Sequence, residues 1–336
     1  MKCIDSDWKI RERSIMKKRI IVSITTILLI MTMCSGCAKS PFQITDSFAS
    51  YYAQNKESSG SKVEGMAHNL AVLSQGEATD PDYQSKDYAD LVVNDSTNEV
   101  VESYHCFDKI YPASITKVMT ALLTLEHGNM DDEITLKHDI VLNEDGAVIS
   151  TLTKGDTVTV DQVFHTMLIK SANDCAVILG EYIAGSEKKF VEMMNEKAKE
   201  LGATHTHFVN TNGLHDDNHY TTAYDLYLIF REAVKYDAFV DTVSSKDYTM
   251  TYVTSKGSKV SEYMESTNYY LLNEFPVPEG VTMYGGKTGT TSLAKSCLIL
   301  MTKNKKGERF ISVVLGAKTK ESLYHSMTHL LEKTVN

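Results

Sequence analysis

The stretch Tyr111-Pro112-Ala113-Ser114-Ile115-Thr116-Lys117 places a serine three residues ahead of a lysine. Ile115, Val118, Met119 and Leu122 recur at i, i+3, i+4 and i+7, which predicts a helix with one apolar face running to about Glu126. Pro112 suits the entry to such a helix. On it, Ser114 and Lys117 share a face. A serine hydroxyl is a poor nucleophile. A lysine amine beside it, its pKa lowered by burial or nearby charge, can take the proton. The helix N-terminus supplies positive potential where an oxyanion would form. Alone, a serine and lysine at this spacing also fit an ordinary solvated helix start.

Two further stretches can partner this one. Ser171-Ala172-Asn173 falls on a short loop between two helical patterns. Such a serine can relay a proton and such an amide can hold a carbonyl, although both residue types are also good helix caps. Gly285-Gly286-Lys287-Thr288-Gly289-Thr290-Thr291 precedes a strand-like run from Leu293. It reads as a Gly-rich turn, or as a close-approach segment whose lysine and threonine fix an anionic group and whose N–H completes an oxyanion hole. The three motifs follow in order, 57 and then 116 residues apart. As a set they resemble the motifs of penicillin-binding proteins and serine β-lactamases.

The elements that must position these residues can be read coarsely. Leu91-Val92-Val93 and Glu99-Val100-Val101 flank a polar turn and predict two strands. Residues 156–160 alternate like a strand or a helix lead-in, and Val160, Val163, Phe164, Met167 and Leu168 keep helical spacing. Helical patterns also cover Ala176 to Ile183 and residues 187–201, the latter stopped by Gly202. Leu293 to Met301 and Phe310 to Leu315 predict a hairpin around Asn304-Lys-Lys-Gly307, followed by a helix from about Lys320 to Lys333. Strands near both ends with helices between predict an α/β (α+β) fold. Its sheet is mostly antiparallel, flanked by helices, with an all-helical insert.

More locally, Tyr111 to Leu122, Ser171-Ala-Asn-Asp-Cys-Ala176, Phe208-Val-Asn-Thr-Asn-Gly-Leu214 and His219-Tyr-Thr-Thr-Ala-Tyr-Asp225 resemble the low-molecular-mass D-alanyl-D-alanine carboxypeptidases over about residues 88–334. The resemblance implies the β-lactamase/transpeptidase-like fold and a serine hydrolase without metal or cofactor. It implies that Ser114 is acylated by the penultimate D-alanine carbonyl of a peptidoglycan stem peptide, that terminal D-alanine leaves and that water releases the enzyme. β-Lactams would act as covalent inhibitors. By position, Lys117 would be the general base, Ser171 and Asn173 would serve proton relay and substrate amide binding, and Lys287, Thr288, Gly289 and Thr290 would line the substrate end. The N–H groups of Ser114 and Thr290 would form the oxyanion hole. The chain departs from the family where Ala172 stands for glycine and Thr290 for a bulkier residue. Leu323 stands where many members carry an arginine for the terminal carboxylate, with Lys318 and Lys320 nearby. The C-terminal β-domain of many members is not recognisable.

Composition sets the compartment. The 336 residues are 42% hydrophobic and 23% charged, with a net charge of −10. The first 36 residues hold seven basic and three acidic residues, so the remainder is more acidic still. Such a surface argues against nucleic acid as a partner. Lys17-Lys18-Arg19, an apolar run from Ile20 to Met33, and Cys34-Ser35-Gly36-Cys37 read as a signal peptide over residues 1–37, with Met16 as a possible start. Its end resembles a bacterial lipoprotein signal, which implies a lipid on Cys37 and an anchor on the outer face of the cytoplasmic membrane. The apolar run is short for a membrane span. Residues 38–62 read as a polar linker and 63–336 as the folded domain. Cys106, Cys175 and Cys297 form no paired motif and predict buried thiols.

Three other readings stand beside this one. A class A β-lactamase shares the motifs but needs a deacylating Glu-x-x-Leu-Asn stretch, which residues 174–230 lack. A zinc hydrolase is suggested by His205, His207, His215 and His219, but the glutamate of a His-Glu-x-x-His motif is missing and the stretch reads as solvated loop. A non-catalytic penicillin-binding sensor would be expected to have lost Ser114, Lys117 or Lys287.

Overall fold

Segments from opposite ends of the chain meet at the centre of the larger sheet. In the computed structural model, β1 (Ala89–Asn94) pairs antiparallel with β2 (Glu99–Tyr104) on one side and with β9 (Arg309–Ala317) on the other. β8 (Lys295–Asn304) and β7 (Val281–Thr291) extend it, giving the order β2-β1-β9-β8-β7 with every pairing antiparallel. The structure describes residue 71 and residues 89–335 except 143 and 145. These lie in one compact unit, Glu64–Asn336. The readings of the signal segment, Cys37 and the linker fall outside the described residues.

Side chains alternate across this sheet, as the two-residue period of a strand requires. Leu91, Val93, Ile299, Met301, Ile311, Val313 and Leu315 bury themselves in the main core. Val92, Leu298, Leu300, Phe310 and Val314 point to the opposite face and join Leu323, Tyr324, Met327, Leu330 and Leu331 of the C-terminal helix. That helix, Lys320–Glu332, starts with a capping box between Thr319 and Ser322. Burial on both faces explains why these strands read as near-continuous apolar runs.

Among the described residues six α-helices precede it: α1 (Lys117–His127), α2 (Val160–Ile169), α3 (Asn173–Ala184), α4 (Glu187–Glu200), α5 (Ala223–Ala233) and α6 (Asp237–Ser244), the C-terminal helix being α7. The apolar stripe read from the sequence is the buried face of α1 and of the turn that leads into it: Ile115, Val118, Met119 and Leu122 are at most 1% exposed. Val160, Val163, Phe164, Met167 and Leu168 do the same for α2. α4 gives way to Gly202 at φ +82°, a left-handed position suited to glycine. Cys106, Cys175 and Cys297 are buried as expected.

Three expectations change. A second sheet, β3 (Glu133–Thr135), β4 (Thr157–Thr159), β5 (Asp247–Val253) and β6 (Lys259–Glu265), was not foreseen. β3 and β4 are three residues long, too short for a period to register, while β5 and β6 do alternate between buried or half-buried and exposed positions, in a stretch to which the sequence reading gave no element. The third motif is not a turn ahead of a strand: Gly285 to Thr291 lies within β7. Gly285 and Gly286 are needed because a Cβ there would stand 2.0 Å from Val243 O and from Ile299 O. Accordingly β8 starts at Lys295, and Leu293 sits in the connecting turn with its side chain 55% exposed.

Candidate active site

Ser114 lies in a 3₁₀ turn, Ala113–Thr116, that runs directly into α1. With three residues per turn, positions i and i+3 eclipse, which aligns Ser114 with Lys117 more closely than an α-helix would. Lys117 Nζ stands 2.9 Å from Ser114 Oγ, 2.8 Å from Asn173 Oδ1 and 2.6 Å from Asn212 O. Two of these partners, the amide and backbone carbonyls, can only accept. A neutral amine has two N–H donors and one lone pair. Giving both donors to the carbonyls turns the lone pair toward the Ser114 hydroxyl. Lys117 is fully buried, and desolvation, followed by the neighbouring Lys287 charge, holds its pKa well below that of a free lysine. Burial therefore favours the neutral amine, and in that form the two carbonyls leave the lone pair for the Ser114 proton.

Asn173 is held so that its carbonyl faces Lys117. Its backbone N–H and its Nδ2 both donate to Val148 O, at 2.8 and 2.9 Å, which orients the amide. Asn173 is the first residue of α3, and Ala172 occupies the cap position without a side-chain bond. Neither Ser171 nor Asn173 acts as the helix cap that their residue types permit. Ser171 instead takes φ +65° and turns its hydroxyl to accept from Lys287 Nζ at 2.9 Å. A serine held in the left-handed region carries backbone strain that the surrounding structure must maintain.

Lys287, on β7, is 1% exposed and also donates to Thr288 O at 2.9 Å. Burial lowers its pKa to about 7. It thus stands behind the cleft wall and bears on the site through Ser171, while Thr288, Gly289 and Thr290 line the cleft. Thr267 also lines it and its hydroxyl bonds that of Thr288. Gly289 passes close to the Ser114 turn: a Cβ there would stand 3.0 Å from Ser114 N and 3.1 Å from Pro112 O. The cleft encloses about 320 Å³ between Ser114, Ser171 and Asn173, Glu144 and Gly146 to Val148, β7, and Lys320, Leu323 and Tyr324 of α7. Lys320 extends over the Tyr269 ring, with Nζ 5.1 Å from its centroid.

The structure thus brings Ser114, Lys117, Ser171, Asn173 and the Lys287–Thr290 segment to one place. The backbone carbonyls of Asn212 and Val148 escaped the sequence reading, because a carbonyl acceptor has no residue signature. One reading is corrected. His219 was assigned to a solvated loop, but it is 2% exposed and bonded at both ring nitrogens. His205, His207 and His215 remain at least partly exposed.

Comparison with known proteins agrees with this geometry. A family model described as D-alanyl-D-alanine carboxypeptidase matches residues 74–319. The D-alanyl-D-alanine carboxypeptidase DacF of Bacillus subtilis is 33% identical over 247 residues, covering 72% of this chain and 60% of that protein. DacC of Escherichia coli is 28% identical over 251 residues, covering 72% and 59%. The chain therefore spans about 60% of the length of these relatives. Among solved structures, the Streptomyces K15 DD-transpeptidase superposes with a TM-score of 0.68 at 26% identity, covering 75% of this chain and 98% of that one. Penicillin-binding protein D2 of Listeria monocytogenes, in a cefotaxime-bound form, gives 0.62 at 29% identity, covering 76% and 99%. The fold is that of the DD-peptidases, and the chain belongs to the D-alanyl-D-alanine carboxypeptidase family.

Proposed function

We propose that the protein is a serine D,D-carboxypeptidase that removes the terminal D-alanine of peptidoglycan stem peptides through an acyl-enzyme on Ser114. The observation that carries this reading is the Lys117 amine, buried and held by two carbonyl acceptors beside the Ser114 hydroxyl. Lys117 takes the hydroxyl proton as Ser114 Oγ attacks the penultimate D-alanine carbonyl. The resulting oxyanion is met by the N–H groups of Ser114 and Thr290, at the start of the nucleophile turn and on β7. Ser171, bonded to Lys287, relays a proton to the departing amine as the C–N bond breaks. Water, deprotonated by the same route, hydrolyses the ester and restores Ser114. Asn173 orients Lys117 through Oδ1, and the second hydrogen of its Nδ2 is available to a substrate carbonyl. Thr288, Thr267 and Lys320 lie along the cleft wall beside β7, where hydroxyls and a cation suit a free carboxylate.

β-Lactams would acylate the same serine and be held as inert esters. The test is D-alanine release from a peptide ending in Lys-D-Ala-D-Ala, with Ser114→Ala as control. Release by the native protein alone supports the reading. Penicillin labelling that survives Ser114→Ala would remove Ser114 from the nucleophile's role.

The N-terminal segment supports a second part of the proposal, that the protein is a lipoprotein anchored through Cys37 to the outer face of the cytoplasmic membrane. The support is the basic, apolar, small-residue order of residues 16–37. Mass spectrometry of the mature N-terminus should find a lipid-modified Cys37 and none after Cys37→Ser. An unmodified N-terminus elsewhere would refute it.

A further inference from the structure

The loop 208–219 packs on the nucleophile turn at several points. Asn212 O accepts from Lys117 Nζ, and Thr211 O accepts from Thr120 Oγ1 at 2.6 Å on the next turn of α1. Gly213, at φ +86°, comes so close that a Cβ would stand 1.9 Å from Ala113 O. At the far end of the loop, His219 Nε2 stands 2.8 Å from Thr116 Oγ1, two residues beyond Ser114.

The protonation of this histidine follows from its partners. Val209 N lies 3.2 Å from His219 Nδ1, and a backbone N–H can only donate, so Nδ1 is the unprotonated nitrogen. The single ring proton is then on Nε2 and is donated to Thr116 Oγ1. A doubly protonated ring would set two donors against each other at Val209. It would also place a buried cation in the company of Lys117, His207 and His215, with Asp216 as the opposing charge. Burial favours the same neutral form, lowering the His219 pKa to about 3.

We propose that His219, held as the neutral Nε2–H tautomer, is a positioning residue for acylation of Ser114. It ties Thr116, and with it the nucleophile turn, to the loop whose Asn212 carbonyl aims the Lys117 amine. The Ser114–Lys117 contact is thereby fixed from both sides, on the turn and on the amine. The inference rests on the assignment of Ser114 as the nucleophile. Its chemical content is geometric: a shift of the order of 1 Å between nucleophile and base costs about 10²-fold in rate.

The test compares the native protein with His219→Leu, His219→Gln and Thr116→Val. Stopped-flow measurement with a fluorescent penicillin separates the dissociation constant of the first complex from the acylation rate constant. Glutamine can both accept from Val209 and donate to Thr116, so it should recover most of the rate. His219→Leu and Thr116→Val should lower the acylation rate constant about 10- to 100-fold, with the dissociation constant nearly unchanged. The ¹⁵N spectrum of the native imidazole should show a protonated Nε2 and a bare Nδ1 at neutral pH. Native-like acylation by folded His219→Leu and Thr116→Val would overturn the proposal. So would a loss confined to the dissociation constant, a glutamine variant as slow as leucine, or an Nδ1–H or imidazolium signal. Should His219→Leu fail to fold, Thr116→Val and the native spectrum decide. Failure of the native protein itself to be acylated would instead refute the Ser114 assignment, and the tautomer would still be read independently.

Discussion

Lys117 carries two opposed demands. Burying an amine destabilises the fold, yet that burial is what lowers its pKa and lets it act as a base. Lys117→Ala should therefore lower the rate of penicillin acylation by about 10²–10⁴-fold without lowering the melting temperature. A coincident drop in stability would mean that the lysine is chiefly structural. In the native protein the acylation rate should rise with pH through the lowered pKa of Lys117, since only the amine form accepts the proton. His219 contributes a separate pH dependence, to stability. Its folded pKa of about 3 lies below the ordinary value of 6.5. Between these values the unfolded chain binds the extra proton, so stability is complete above about 6.5 and is lost as pH falls toward 3. His219→Gln should remove up to about 1.4 kcal/mol per pH unit from the acid slope, as read by denaturant melts between pH 6.5 and 4. An unchanged slope would contradict a neutral buried ring.

At the scale of elements, the site is a meeting of three backbone segments at contact distance. β7 must run past the start of α1 closely enough to form one wall of the proposed oxyanion pocket, and Gly289 permits the approach. Its φ is not in the left-handed region, so Gly289→Ala imposes no backbone strain, only a Cβ 3.0 Å from Ser114 N and 3.1 Å from Pro112 O. The strand or the turn must then yield by a few tenths of an ångström. We expect acylation to slow by about 10-fold or more, with the melting temperature within a few degrees of native. Acylation at the native rate would show that this approach is not what sets the pocket.

The whole molecule depends on ties between distant segments. Asp95, in the β1–β2 turn, has a fully buried side chain between two arginines: Arg231 Nε of α5 at 2.6 Å and Arg309 Nε of β9 at 2.7 Å. It joins the first hairpin, a helix of the insert and the last strand. Asp95→Asn should destabilise the protein by about 3–5 kcal/mol, because two guanidinium groups lose their buried counter-charge. The loss should be nearly independent of salt, since the group is shielded from solvent. Urea melts at low and high ionic strength would test both, and a change below 1 kcal/mol would reduce the triad to an incidental contact.

Much of this was legible in the sequence, for a local reason. Ser114 and Lys117 are three residues apart, so chain geometry alone brings them together once the helix forms. The apolar stripes of α1 and α2 and the hairpin around 304–307 are likewise written at their own period. What lies far apart in the chain was decided only by tertiary folding. The strands at 89–94 and 309–317 become neighbours because each buries both faces, which no local pattern reports. His219 sits among polar residues that read as solvated loop, and only the packing of that loop on the nucleophile turn makes it a buried, neutral partner of Thr116. The carbonyls of Asn212 and Val148 are backbone atoms that every residue carries. Their role comes from where the fold puts them, so the sequence names the serine and lysine proposed as nucleophile and base, and the tertiary structure supplies the atoms that aim one at the other.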